Sequence, residues 1–439
     1  MYRKALEDLV AWKDSPTRKP LILEGARQVG KTWLALEFGR LHFSEVAHVV
    51  FLDNGPMQEV FAGSLDPQRL LSAIGIATGT RAGDPDVLVV LDEIQECPRA
   101  ITSLKLFCEQ RPEVPLVAAG SLLGIAMHEG ASFPVGKVDY LQLHPLTFDE
   151  FLLARGNQSL YDLLHSKDTT LMNAFSERFV DELRRYYFVG GMPEAVDAYV
   201  REDTLAAARG VQERLVFGYE HDFSKHASGA LSERIREVWT SAPSQLARDN
   251  RKFVYSAIRP GARARGYEEA IRWLVDAGLL MKVECVSKPG LPLKAYADRS
   301  AFKLYLLDIG LLGALSGLEQ KTIIDGNRLF CEFKGVYAEQ YAAQQLAAGS
   351  VGVPYYWVAK NSIGEVDFLY DFDGAVIPVE VKAETNLKAK SLASFAQRYG
   401  IGHSLRLSLS GWKDQGWVTN VPLYAANLLP DGLPQGPIS

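Results

Sequence analysis

The chain has 439 residues, of which 47% are apolar and 23% charged, and a net charge of −6. At roughly 100–200 residues per domain this length holds two to four domains, and the composition excludes global disorder. No apolar run approaches the ~18 residues of a membrane helix, and the cysteines Cys97, Cys108, Cys285 and Cys331 form no C-x-x-C pair, which argues against a disulfide framework or a cysteine-rich zinc site. The first residues, MYRKALED, lack a secretory apolar core, so a cytoplasmic protein with no membrane partner is expected.

Residues 1–146 alternate strand-like and helix-like stretches. Short apolar runs at 20–25, 46–53, 87–91, 114–119 and 138–143 are separated by helical patterns such as 32–41 and 100–110. Near-continuous apolar strands alternating with helices predict an α/β fold, a parallel sheet with helices on both faces.

Gly25-Ala26-Arg27-Gln28-Val29-Gly30-Lys31-Thr32 fulfils G-x-x-x-x-G-K-[ST] between a strand and a helix. Glycines let the backbone curl so that successive N–H groups face a phosphate, and the helix start adds positive potential. Lys31 would bridge the β- and γ-phosphates of ATP, and the Thr32 hydroxyl would ligate Mg²⁺. The strand 87–91 ends in Asp92-Glu93. Asp92 would hold Mg²⁺ through water, and Glu93 would polarise an attacking water as general base, so ATP hydrolysis is expected. The strand 116–120 ends at Ser121. If that strand lies between the two motif strands, Ser121 would face the γ-phosphate or the water; as an alternative it would cap a helical turn at 122–127.

The phosphate loop, the Asp-Glu pair and the Ala-Gly-Ser strand end resemble an AAA-type ATPase of the additional-strand-catalytic-glutamate class. Phe133-Pro134-Val135-Gly136-Lys137-Val138 and Leu143-His144-Pro145-Leu146-Thr147-Phe148-Asp149-Glu150-Phe151 resemble a widespread bacterial and archaeal ATPase family. Arginine stands in many of its members where Lys137 stands here. Helical patterns over 147–204 predict a lid, broken at Gly190-Gly191-Met192-Pro193. That phrase resembles the Gly-x-Pro signature of signal-transducing ATPases with numerous domains, which implies Pro193 beside the adenine; on local grounds it is a helix-breaking turn.

Residues 205–317 begin with helices, including patterns at 233–240, 245–250 and 267–277. Alternating runs at 279–286 and 296–307 follow, joined by a Lys-Pro-Gly turn. Three helices and a hairpin are the outline of a winged helix. From Arg236 to Lys303 there are 13 Lys/Arg and 7 Asp/Glu, a local charge of +6 in an otherwise acidic chain. This reads as a footprint for DNA or as a solvated basic surface. His221 and His226 flank Asp222, with no third metal ligand in view, and packing is the expected role.

Residues 328–430 predict an α/β domain with a helix at 335–346, strands at 354–358, 365–371, 376–382 and 404–409, and a helix at 390–399. A Pro/Gly-rich tail follows. Strand alternation puts Glu380 and Lys382 on one face, and Asp367 on the preceding strand converges with them if the two strands form a hairpin. Two carboxylates would hold a second divalent metal, Mg²⁺ or Mn²⁺, with Lys382 beside it and Glu339 supporting from a helix. This D…E-x-K arrangement resembles the restriction-endonuclease-like fold, with spacing similar to archaeal Holliday-junction resolvases. The region also resembles the domain of unknown function that follows this ATPase in bacteria. The resemblance implies a nuclease-like domain that cuts or grips DNA; the alternative is a nucleotide-switched signalling or assembly protein whose C-terminal domain is an inactive protein- or DNA-docking module. Tyr355, Tyr356 and Trp357 would stack on a base or fill the core. The sequence leaves the oligomeric state open.

Overall fold

The computed structural model describes residues 1–121, 134–227, 229–248, 251–319, 328–349, 352–359, 364–384 and 389–429, apart from the side chains of 226 and 328–333. The helical turn expected at 122–127, Phe133 and the tail after residue 429 lie outside these residues. The chain forms two compact units, Met1–His144 with Asp276–Gly278, and Pro145–Val275 with Leu279–Ser439. No described helix is long and apolar enough to cross a membrane.

The first unit contains strands β1 (Leu21–Glu24), β2 (Glu45–Val50), β3 (Val87–Asp92), β4 (Leu116–Ala119) and β5 (Asp139–Gln142). They form one sheet in the order β2-β3-β4-β1-β5, with every pairing parallel. All residues of β3 and β4 are buried, as central strands covered on both faces must be. Ile22, Val49, Phe51, Val89, Leu91 and Leu116 meet Leu70, Leu71, Ile74, Leu104 and Phe107 of the flanking helices Pro67–Thr78 and Pro98–Gln110 in one core. The sequence-based strand pattern thus describes this unit well, and β4 lies between β1 and β3.

The second unit opens with a capping box. Thr147 and Glu150 satisfy each other's main-chain donors at the start of helix Phe148–Ala154. Helices Gln158–His165, Thr169–Ala174, Ser176–Val189 and Pro193–Glu202 follow, then Leu205–His226, Gly229–Leu246 and Ala264–Asp276. An eight-stranded sheet is built from β6 (Leu280–Val286), β7 (Ala297–Leu306), β8 (Tyr355–Val358), β9 (Glu365–Phe372), β10 (Ala375–Val381), β11 (Ser404–Ser408), β12 (Lys413–Asp414) and β13 (Val418–Pro422), in the order β12-β13-β11-β10-β9-β8-β6-β7.

This topology differs from the expected division at 317–328. The hairpin β6–β7 does not stand apart as a wing; β6 pairs in parallel with β8 through Cys285↔Tyr356 and Val286↔Trp357. The middle helix expected at 245–250 is also absent from the described residues. Gln245 and Leu246 instead end the 229–246 helix, and the Gln245 side chain turns the chain by bonding both the N–H and the C=O of Val254. Helix Arg328–Ala348 stitches the unit together with glutamines that the sequence pattern hides. Gln340 bonds both main-chain groups of Leu306, Gln344 accepts from Ile309 N–H, and Gln345 accepts from Phe148 N–H. Each satisfies a main-chain group buried away from water.

Candidate functional site

The phosphate loop links β1 to helix Lys31–His42. Gly25 sits at φ 139°, and a Cβ there would run into the Leu143 carbonyl oxygen. Gly30 caps the helix in the left-handed region at φ 94°, where only glycine is free of strain. Gln28 also has positive φ, while Ala26 and Val29 are buried and Arg27 is half-buried. Lys31 is 6% exposed, and its Nζ donates to the carbonyls of Gly25 (2.8 Å) and Ala26 (2.7 Å). Burial pushes its ammonium pKa down to about 8, against the opposite pull of Glu93 and Asp92.

The end of β3 completes the site. Thr32 Oγ1 donates to Asp92 Oδ2 at 2.9 Å, and His48 Nε2 lies 3.3 Å from the same oxygen. Burial works to raise the Asp92 carboxyl, but the bonds from His48, Thr32 and the Glu93 N–H outweigh it and hold the group below its ordinary range. Glu93 is left-handed, at φ 50°, and its N–H donates to Asp92 Oδ1. Such strain in a non-glycine residue collects at functional positions. Gln95 Nε2 donates to Glu93 Oε2 and orients it. Ser121 stands two residues beyond β4, whose Ala119 is level with Leu23 of β1 and Asp92 of β3. The loop, the two acids and Ser121 therefore gather at the carboxyl ends of adjacent parallel strands, where open α/β sheets bind ligands. Two hard oxygen donors already in contact, Thr32 and Asp92, fit a Mg²⁺ ion carried by a nucleotide.

His48 was not found from sequence; a lone histidine in an apolar strand reads as core, and only the β2–β3 pairing puts it beside Asp92. Lys137 pairs with Glu109 at 3.0 Å.

Pro193 is the first residue of helix Pro193–Glu202, in the second unit. The glycines before it serve a buried aspartate. Gly191 N–H donates to Asp308 Oδ2 at 2.6 Å, and a Cβ on Gly190 would collide with the same carboxylate. Asp308 also accepts from Leu311 N–H and Gln344 Nε2, and its burial raises its pKa.

The expected second metal site takes a different form. Glu339, 1% exposed, receives Lys303 Nζ at 2.9 Å, Arg251 Nη1 and the Tyr305 hydroxyl. Lys303 is fully buried and also pairs with Glu365. Asp367 accepts the Val381 N–H at 2.7 Å; burial first, and the Glu339 charge second, push its carboxyl up to about 7. Glu380 pairs with Lys382. Glu339 and Glu365 are thus answered by ammonium and guanidinium groups and Asp367 by a main-chain donor, while Glu380 Oε2 is buried with no hydrogen-bond partner; among the described residues no group of three or more His, Cys, Asp or Glu is placed to hold a metal ion. Local strand alternation could not reveal this, because Lys303 and Arg251 lie 36 and 88 residues from Glu339 in sequence. A second divalent ion is therefore not shown by the described residues. Tyr356 and Trp357 are core residues, Trp357 against Phe395 and Tyr399; the His221 ring packs tilted against Phe217.

Residues 17–152 match the AAA domain, and residues 180–322 and 334–424 match two domains of unknown function, DUF8612 and DUF4143. No curated protein matches the chain. Among solved structures it is similar to a Walker-type ATPase of Pyrococcus abyssi, with 13% identity over 72% of this chain and 95% of that one and a TM-score of 0.46. It is also similar to the Aeropyrum pernix ORC1 protein in complex with DNA, with 15% identity, coverage of 72% and 91% and a TM-score of 0.27. The Thermotoga maritima RuvB Holliday junction branch migration motor gives 14% identity, coverage of 64% and 90% and a TM-score of 0.27. The N-terminal unit has an AAA-type P-loop ATPase fold, in a chain whose other two family matches are to domains of unknown function.

Proposed function

We propose that the protein binds and hydrolyses ATP with Mg²⁺ in its N-terminal unit and couples the nucleotide state to DNA through the basic segment of its second unit. The observation that carries the first half is the meeting of Lys31, Thr32, Asp92 and Glu93 at adjacent strand ends. Lys31 is held by two neutral carbonyls, which an arriving phosphate displaces, and its ammonium then pairs with the β- and γ-phosphates. Main-chain N–H groups of the loop, Gly30 among them, donate to the same oxygens. Thr32 and Asp92 would hold a Mg²⁺ ion, which would neutralise phosphate charge. Glu93, oriented by Gln95, takes a proton from the attacking water, and Ser121 donates to the γ-phosphate.

The DNA half rests on exposure. Arg263 and Arg265 are exposed around the start of helix Ala264–Asp276, as are Arg248, Lys252, Arg272, Lys288, Lys294 and Arg299 nearby in sequence. A second reading applies to the C-terminal region: with Glu339 and Glu365 paired to internal cations and Asp367 bonded to the Val381 N–H, it docks a partner or DNA rather than cutting it.

Glu93→Gln tests the core of this reading. The amide keeps the shape of the site but cannot accept the proton, so turnover should fall by roughly 10²–10⁴-fold while ATP still binds. Steady-state phosphate release beside equilibrium ATP binding measures both, and wild-type turnover in this variant removes Glu93 as the base.

A further inference from the structure

We propose that Arg3 is a positioning residue for the phosphate loop, fixing the peptide plane whose N–H faces the nucleotide phosphates; the proposal rests on the reading of that loop as an ATP site. Arg3 lies just before helix Ala5–Asp14, and the residue is 4% exposed. Nη1 donates to the Val29 carbonyl at 2.9 Å, and Nη2 donates to the His144 carbonyl at 2.6 Å.

The Val29 carbonyl belongs to the peptide joining Val29 to Gly30. In a trans peptide the C=O and N–H point in opposite directions. Holding the oxygen on Arg3 therefore turns the Gly30 N–H to the opposite side of the plane. This plane needs such an anchor. Gly30 is left-handed at φ 94°, and a glycine offers little steric resistance to rotation of the peptide before it. The glycine that lets the loop curl is thus also its weakest point of definition, and Arg3 supplies from outside the loop what the loop cannot supply itself.

The second bond gives the anchor its reference. His144 follows β5, whose Gln142 pairs with Glu24 at the end of β1, one residue before the loop begins. One rigid fork thus ties the far end of the loop, at Val29, to the strand beside its near end. A guanidinium presents its donors in a fixed plane and bridges two carbonyls at once; an ammonium on a flexible stem does not reproduce that geometry. Burial first, and the Arg3 charge second, push the His144 imidazole down to about 4, so at neutral pH it adds no second positive charge.

The test uses the full chain with MgATP as the probe, in equilibrium binding and steady-state hydrolysis, with Lys31→Ala as the reference for a lost phosphate contact. Arg3→Met should weaken MgATP binding by roughly ten- to a hundredfold, the range for losing hydrogen bonds from a charged donor. Arg3→Lys should fall between that variant and the wild type, with an unchanged melting temperature in the absence of nucleotide. Should Arg3→Met fail to fold, Arg3→Lys alone decides, because it keeps charge and bulk and changes only the fork. Wild-type affinity in Arg3→Lys, alongside a wild type that binds and a Lys31→Ala variant that does not, overturns the positioning role. A wild type that binds no MgATP removes the nucleotide reading itself and the proposal with it, a result distinct from the first.

Discussion

Each unit contains a buried lysine near carboxylates, and the two behave in opposite ways. Among the described residues, Lys31 donates to the neutral carbonyls of Gly25 and Ala26, and burial pushes its pKa down to about 8. Lys303 donates to Glu339 and Glu365, and although burial opposes its charge, those carboxylates raise its pKa above the ordinary value. Burial alone therefore says little about what a lysine does. A cation held by neutral acceptors remains available to an anion that enters, whereas a cation held by carboxylates is already neutralised. By that criterion the phosphate loop is an open site and the Glu339 cluster a closed one, although a short motif marks both in the sequence.

Replacing each lysine by methionine exposes this contrast most strongly. Lys31→Met should weaken ATP binding by roughly a hundredfold or more and leave the melting temperature near that of the wild type, since the lost partners are two carbonyls. Lys303→Met strands buried carboxylates without their cation, and removing one partner of such a cluster costs about 3–5 kcal/mol. Urea unfolding should show that loss in Lys303→Met and little change in Lys31→Met. An equally stable Lys303→Met protein means the cluster is open to water and small cations, and the distinction collapses.

The difference also separates what could be read from the sequence from what could not. The first unit was legible because its signals are local: apolar runs ending at Gly25, Asp92 and Gly120 give strand, loop and acid in a few residues each. Even there, His48 and Arg3 escaped, since each acts through a partner on another element, 44 residues away for His48 and 26 for Arg3. In the second unit, alternation gave β6, β7 and β8 to β11 nearly to the residue. It could not give the parallel pairing of β6 with β8, which joins segments about seventy residues apart. Local pattern therefore suggested a free wing where the chain builds one sheet. Strand β13, with Asn420 in its middle and Pro422 at its end, carries no period strong enough to announce itself. The Glu339 cluster was half legible: Glu339 and Asp367 were found, but Glu365 was not, and the cations Lys303 and Arg251 come from the segment read as a DNA footprint.

A smaller effect tests the inside of that cluster. Unfolded, Asp367 titrates near its ordinary value of 3.8; folded, it titrates at about 7. Between these values the folded chain binds a proton that the unfolded chain does not, so this group makes stability fall as pH rises from about 4 to about 7. Asparagine resembles the protonated acid and does not titrate. Asp367→Asn should match the wild type at pH 4 and exceed it by more than about 1 kcal/mol at pH 8, read as the shift in urea midpoint. An Asp367 held ionised across this range, as a metal ligand would be, predicts the reverse: the asparagine variant loses stability at pH 8 when the ion is present.

The smallest effect concerns the cations left outside the cluster. Of the basic residues between Arg236 and Lys303, Lys303 is fully buried, Arg251 is bound to Glu339, Lys282 pairs with Glu284 and Arg259 pairs with Glu237. The charge available to DNA is therefore smaller than the sequence total, and Arg263 and Arg265 are among what remains exposed. Each phosphate contact contributes nearly one unit to the slope of log affinity against log salt. Reversing both charges in Arg263→Glu/Arg265→Glu should lower that slope by about two units on duplex DNA and weaken binding, with ATP affinity and melting temperature unchanged because neither side chain is buried. Titrations of labelled duplex at several salt concentrations measure the slope directly. A slope equal to that of the wild type places DNA elsewhere or nowhere on this chain. The exposed arginines would then be a solvated surface, and protein docking would be the use of the second unit.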